Sequence, residues 1–301
     1  MGAYPDTMLV LGTLLAAVAV PCAAILRISM LRHPPESLLI ENHRGKRVPA
    51  LGGIVILATS LLTETVLTLV ATIRPGPQGG PVTASSAASI PAAFMSSDHL
   101  VFLIVLFGFF LLGTIDDLAG AGQAKGFRGH VAKLKQGIVT GGAIKAVGGF
   151  AVAFVASGVW EMRLFPALAD AGVIALTANL LNLLDLRPGR AVKVFLLAWV
   201  PLAATGWSMP YFALSFPVVA SAVTWLPADL KEEAMLGDAG ANTIGALIGL
   251  GIVLLAPISV RLTVLAGLIA LTLVSEKWSF TRLIEVTPAL NWFDRLGRVR
   301  E

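Results

Sequence analysis

Apolar residues in this chain do not alternate with polar ones; they run in blocks. Nine blocks stand out, near 8–30, 51–73, 99–115, 138–160, 166–184, 192–208, 211–227, 239–256 and 258–275. Each is close to the ~20 residues that a helix needs to cross ~30 Å of hydrocarbon. None shows the two-residue alternation of a barrel strand, and only helices or closed barrels satisfy every backbone group inside lipid. The pattern predicts an all-α, polytopic integral membrane helix bundle of about nine transmembrane helices, ten at most. Segments 137–149 and 237–251 are rich in small residues, which lets helices pack closely.

The last stretch, 276–301, breaks the pattern. Arg282, Glu285, Pro288, Asp294 and Arg295 interrupt it, so it reads as a basic tail rather than a further span. Its Leu283, Ile284, Val286, Leu290, Trp292, Phe293 and Leu296 suit a helix lying in the membrane interface. Glu64 falls inside the second block, where Thr63, Thr65 and Thr68 are its nearest polar neighbours, and no role follows from that position.

Composition agrees with the blocks. The chain is 56% hydrophobic and 13% charged, with a mean hydropathy of +0.83, which excludes an ordinary soluble domain. One membrane-embedded domain over 1–301 is expected. Cys22 is the only cysteine, so neither an internal disulfide nor a thiolate metal site can form. His33, His43, His99 and His130 lack ligand-like spacing, so zinc is not expected. The first block has no basic flank of the signal-peptide kind and reads as the first span.

Charge adds an orientation. Of the 22 Lys and Arg residues, all but Arg74, Arg163 and Arg261 fall in segments 27–50, 116–145, 185–193, 228–238 and 276–301. By the positive-inside rule that side is cytoplasmic, with the N-terminus outside and the C-terminus inside. The lipid bilayer is the evident partner; nucleic acid is not expected, and a homodimer is left open.

Polar clusters reach the same basic side. Asp116 and Asp117 end the third block, where a carboxylate pair next to hydrocarbon is costly unless it has a function. Adjacent helical residues point about 100° apart, so the two carboxylates must divide their work. Asn179, Asn182 and Asp185 lie three apart and line one face of a helix end, either as helix glue or as a ligand site. Asp238 begins another block; it could be an N-cap, or its small neighbours could admit a phosphate or metal to free helix amides. Gly52 and Gly53 allow close approach of either backbone amides to a phosphate or a neighbouring helix. Four carboxylates with oxygen donors alone suit Mg2+, with Mn2+ as the near substitute.

These pieces resemble a known family. Pro49-Ala50-Leu51-Gly52-Gly53, Gly113-Thr114-Ile115-Asp116-Asp117, the Asn179 to Asp185 stretch and Gly237-Asp238-Ala239-Gly240 occur in the order found in bacterial polyprenyl-phosphate N-acetylhexosamine-1-phosphate transferases. That family includes phospho-N-acetylmuramoyl-pentapeptide transferase and the undecaprenyl-phosphate N-acetylglucosamine-1-phosphate transferases. The resemblance implies a Mg2+-dependent phosphoglycosyl transferase of cell-wall or surface-glycan synthesis in the plasma membrane. It would move a sugar-1-phosphate from a UDP-amino sugar to undecaprenyl phosphate and release UMP at the cytoplasmic face.

By matching position, Asp238 is the implied Mg2+ ligand, with Asp117 on the metal side and Asp116 on the nucleophile side. Asn179, Asn182 and Asp185 would orient the nucleotide. Lys133 and Lys145 both fit the family's lysine, one by distance from the Asp pair and one by its place in the next span. Arg187, Gly52 and Gly53 complete the substrate-side set.

Departures narrow the reading. Pro188 stands where the family carries a second acid, and no histidine follows His130, whereas the pentapeptide transferases carry a histidine cluster near the end. The pentapeptide substrate is therefore disfavoured, and the sugar is left open. The alternatives are a family member that binds polyprenyl phosphate or nucleotide sugar without turnover, and a transporter, for which no internal repeat is found.

Overall fold

The structure is a computed structural model that describes residues 4–73, 97–119, 136–137, 140–205 and 210–299. Nine helices fall on the nine apolar blocks: α1 (Tyr4–Arg32), α2 (Gly52–Ile73), α3 (Ser97–Ala119), α4 (Gly141–Ser157), α5 (Leu164–Leu184), α6 (Arg190–Thr205), α7 (Pro210–Leu230), α8 (Gly237–Leu255) and α9 (Ile258–Ser275). Two short helices follow, α10 (Phe280–Val286) and α11 (Pro288–Arg295). A turn at Glu36–Leu38 leads into a small antiparallel hairpin, β1 (Leu39–Glu41) with β2 (Arg47–Pro49), in which Ile40 pairs with Val48. Asn42 Oδ1 accepts from the Arg44 and Lys46 amides and sets that hairpin's turn.

Seven of the helices are long and apolar enough to cross a membrane: α1, α2, α3, α5, α7, α8 and α9. This is a multi-pass membrane protein. The other two expected spans are shorter, 17 residues for α4 and 16 for α6. Thr140 caps α4, its hydroxyl accepting from the Ala143 amide, so the helix starts later than its apolar block. The first turn of α6 carries Arg190 and Lys193, both turned into protein rather than water or lipid.

Helix α8 is the axis of the bundle. Of its length, 78% is buried, against 6% for α9, which faces outward nearly all round. Small residues explain the position of α8: a Cβ on Gly245 would lie 2.7 Å from Ala178 Cα of α5, and one on Gly249 2.6 Å from Ile174 Cα. Only glycine permits that approach. One apolar core built on this packing runs from Ala23 of α1 to Leu268 of α9, with Trp225, Phe102 and Phe195 as its largest members.

Among the described residues, two contacts between titratable side chains of different helices lie away from the basic end. Arg261 of α9 pairs with buried Asp170 of α5 at 3.0 Å. Glu64 of α2 meets His99 of α3 at 3.1 Å, a partner from another helix rather than the neighbouring threonines.

The C-terminal segment does not cross the bundle. It folds back, and Asp294 of α11 accepts from Arg190 of α6 through two bonds of 2.7 and 3.0 Å. Lys193 Nζ donates to the carbonyls of Phe293, Asp294 and Leu296 at the end of α11, where a cation also complements the helix dipole. Arg298 adds a bond to the Pro188 carbonyl. Arg190 is only 3% exposed, and Asp294 satisfies its guanidinium.

This clasp has a pH signature. Burial alone would raise the Asp294 carboxyl, but Arg190, then Arg298 and Lys193, outweigh it and hold the group below its ordinary value. The unfolded carboxyl titrates near ~3.9, so the clasp is fully stabilising above that pH and weakens as pH falls through the lower folded value. Hydrogen exchange should show amides of 288–296 losing protection below about pH 4 while α8 stays protected. Equal retention in both segments would refute this electrostatic account.

Candidate functional site

The site grows from the first turn of α8. A helix start presents unpaired amides and a positive dipole end, which attract anions. One carboxylate from another helix occupies two of them: Asp117 of α3 accepts from the Asp238 amide at 2.9 Å and from the Ala239 amide at 3.0 Å. Asp185, just past α5, lies close enough to Gly237, Asp117 and Asp238 to feel them electrostatically. Two of the amides expected to be free for a phosphate are thus already bound, and Asp238, in the first turn, is not the cap.

Glycines make this convergence possible. A Cβ on Gly53 would lie 2.6 Å from the Gly240 amide nitrogen, and one on Gly113 would overlap Ala239 Cα and the Asp238 carbonyl. The Gly53 amide donates to the Leu236 carbonyl at 3.2 Å, and Gly52 packs on the same leucine. The pair therefore serves helix contact, the second of the two openings its sequence left.

The other face of the turn holds a lysine. Lys145 of α4 reaches Asp238 at 2.5 Å and Asp116 at 3.1 Å. With the Asn182 amide assigned so that both its ends are satisfied, its oxygen accepts from Lys145 at 2.9 Å and its nitrogen donates to Asp238 Oδ1 at 2.9 Å. The three ammonium donors of Lys145 then meet Asp116, Asp238 and Asn182. Asp116 and Asp117 part company as the helical 100° step requires, one toward the lysine and one toward the helix amides.

Other sequence-flagged residues fall around this core. Asn179 sits one turn deeper on α5, half-buried, with no hydrogen bond to the cluster among the described residues. Arg187, in the turn between α5 and α6, pairs with Glu285 at 3.3 Å. Lys133 lies outside the described residues.

A cleft of about 830 Å3 opens between the β-hairpin turn, the α5–α6 turn and the C-terminal segment, lined by His43, Arg44, Arg187, Glu285, Trp292, Arg295, Leu296, Arg298 and Val299 among others. It adjoins a smaller recess bordered by Asp185, Pro188, Asp229 and Met235; His43, Arg187 and Pro188 line both. Burial, and then the Arg187 guanidinium, hold the His43 imidazole below its ordinary value, which favours its neutral form. Burial, and then the carboxylates of Asp229, Asp238 and Asp117, push Asp185 well up.

Asp229 was not flagged from the sequence. It is buried on α7, and its carboxylate accepts from the Gly189 amide at 3.0 Å. The apolar block ended at 227, but α7 continues through Pro227 to Leu230 and carries Asp229 into the recess. An acid two residues past an apolar block was the available signal.

Set against known proteins, this chain matches no family model and no curated protein. What it does must be argued from the site itself.

Proposed function

We propose that this protein transfers a sugar-1-phosphate, in the form of an N-acetylhexosamine-1-phosphate, from a UDP-sugar to a membrane polyprenyl phosphate. UMP is released. One observation carries the reading. Asp116, Asp117, Lys145, Asn182 and Asp238 come from four helices and form one hydrogen-bonded cluster around the start of α8, with Asp185 beside it. They are residues that the family resemblance singled out.

The donor set fits a magnesium ion in part. Asp238 and Asp116 face a cation already, in the form of the Lys145 ammonium. Both Asp117 oxygens are taken by α8 amides, so Asp116 is the better second ligand. Mg2+ held there would offset negative charge on the diphosphate, which one or two carboxylates plus substrate phosphates commonly arrange.

The protein groups divide the remaining work. Asp117 fixes the first turn of α8 and thereby aims Asp238. Lys145 neutralises a phosphate oxygen when substrate displaces it from a carboxylate, the positioning and charge stabilisation on which phosphoryl transfer depends. The cleft arginines suit the uridine diphosphate. Asp229 supplies a carboxylate beside Pro188, where the family's second acid is missing. The basic flanks support a cytoplasmic position for this end of the bundle.

A second reading has its own support: Lys145 fills the cation position and satisfies both aspartates, as in a protein that binds these ligands without turnover. UMP release from a panel of UDP-sugars separates the two. Membrane vesicles containing undecaprenyl phosphate should release UMP with Mg2+ only when inverted, so that the basic face meets the added nucleotide. Binding without release would select the second reading, and release from right-side-out vesicles would reverse the orientation.

A further inference from the structure

The C-terminal hairpin carries its amphipathicity inside out. On α11, Asp294 is buried against Arg190 and Lys193, so the polar side is turned to the protein. Leu290, Trp292, Leu296 and Val299 are nevertheless 50%, 68%, 50% and 57% exposed, the last three along the rim of the large cleft. On α10, Val286 is 68% exposed. An apolar surface of this kind needs a covering medium.

The neighbouring helix says which. α9 is only 6% buried, with Leu271 and Leu273 outward near its end, so lipid covers it down to Ser275. Trp278 is 59% exposed and α10 starts at Phe280, which leaves the hairpin no room to move far from the bilayer surface. Tryptophans concentrate at that level of a membrane. Lys277, Arg282 and Arg295 are exposed along the same segment, and none forms an ion pair with a carboxylate among the described residues. Two copies of this face would set like charges together, whereas anionic headgroups complement them.

We propose that α10 and α11 form an interfacial anchor whose outward apolar face is seated in the headgroup region of an anionic bilayer, with the Asp294 clasp tying it to α6. The inference stands on exposure and charge and is independent of the transferase reading. Helices of this type sit about 5–10 Å into the boundary between headgroups and acyl chains.

Nitroxide labels test it. Full-length Cys22→Ser protein carrying Trp292→Cys or Leu296→Cys is labelled and reconstituted in phosphatidylcholine–phosphatidylglycerol vesicles. Oxygen should collide with these labels several-fold more often than a water-soluble nickel chelate does. A Glu41→Cys label on β1 should show the reverse. Labels at 292 and 296 that read like the one at 41 would overturn the proposal. So would spin–spin broadening that disappears on dilution with unlabelled protein, since a second copy would then cover the face. Loss of the oxygen preference in phosphatidylcholine alone supports the anionic surface, and an unchanged ratio removes it. Should the labelled chains fail to fold, tryptophan quenching by lipids brominated near the headgroup gives the answer. Trp292→Phe should remove a measurable share of that quenching, and no change would count against the anchor.

Discussion

Asp238→Asn should cut Mg2+-dependent UMP release by about 10²–10³-fold, the loss typical when a group that stabilises developing charge is removed. The substitution deletes a charge and leaves the shape. Its remaining oxygen can still accept from Lys145, and its amide can meet Asn182 only through a reversed orientation. Stability should change little, because the Asp117 carboxylate, not that of Asp238, holds the start of α8. The check is UMP release over a range of Mg2+, alongside thermal unfolding of the same detergent-solubilised protein. Turnover near the wild-type level with an unchanged Mg2+ requirement would take Asp238 out of the reacting centre. A large loss of stability would instead make it part of the helix start.

How far the sequence revealed this site depends on whether a signal was local. Each helix was legible because burial in lipid and protein demands an unbroken apolar block, which composition alone displays. Asp116, Asp117, Asn182, Asp185 and Asp238 were legible for a related reason: a polar group at the edge of such a block is costly without a use. The contacts among them were not. Lys145 and Lys133 were equal candidates by spacing, and only the packing of α4 beside α3 brings Lys145 to Asp116. Arg190 and Asp294 lie 104 positions apart, and neither carries a local mark of its partner. Asp229 was hidden by Pro227, since a proline favours a helix boundary before it but does not enforce one where neighbouring helices hold the chain. Likewise, an acid near Gly237 was legible as a helix-start signal, but which acid caps the helix was decided across helices: Asp117 does so.

Asp116→Asn and Asp117→Asn should fail in different ways, although the residues are neighbours. Asp117 gives each oxygen to a separate backbone amide, and an Asn has one oxygen, so its NH2 would confront an N–H donor. Losing a cap of this kind costs about 0.5–2 kcal/mol, and losing the negative charge at a helix N-terminus about 0.3–1 kcal/mol more. Asp117→Asn should therefore lower the unfolding midpoint and the maximal rate together, and added Mg2+ should not restore the rate. Asp116 meets Lys145 beside Asp238. Asp116→Asn should leave the unfolding midpoint nearly unchanged and raise the Mg2+ concentration needed for half-maximal rate, with partial recovery at high Mg2+. The opposite pattern is informative as well. An Asp117→Asn protein of wild-type stability whose rate returns with Mg2+ would make Asp117 the metal-side residue, as the family resemblance alone suggests. The helix-capping bonds would then yield to the ion when substrate binds, and the first turn of α8 would have to find its anion in the substrate's phosphates instead.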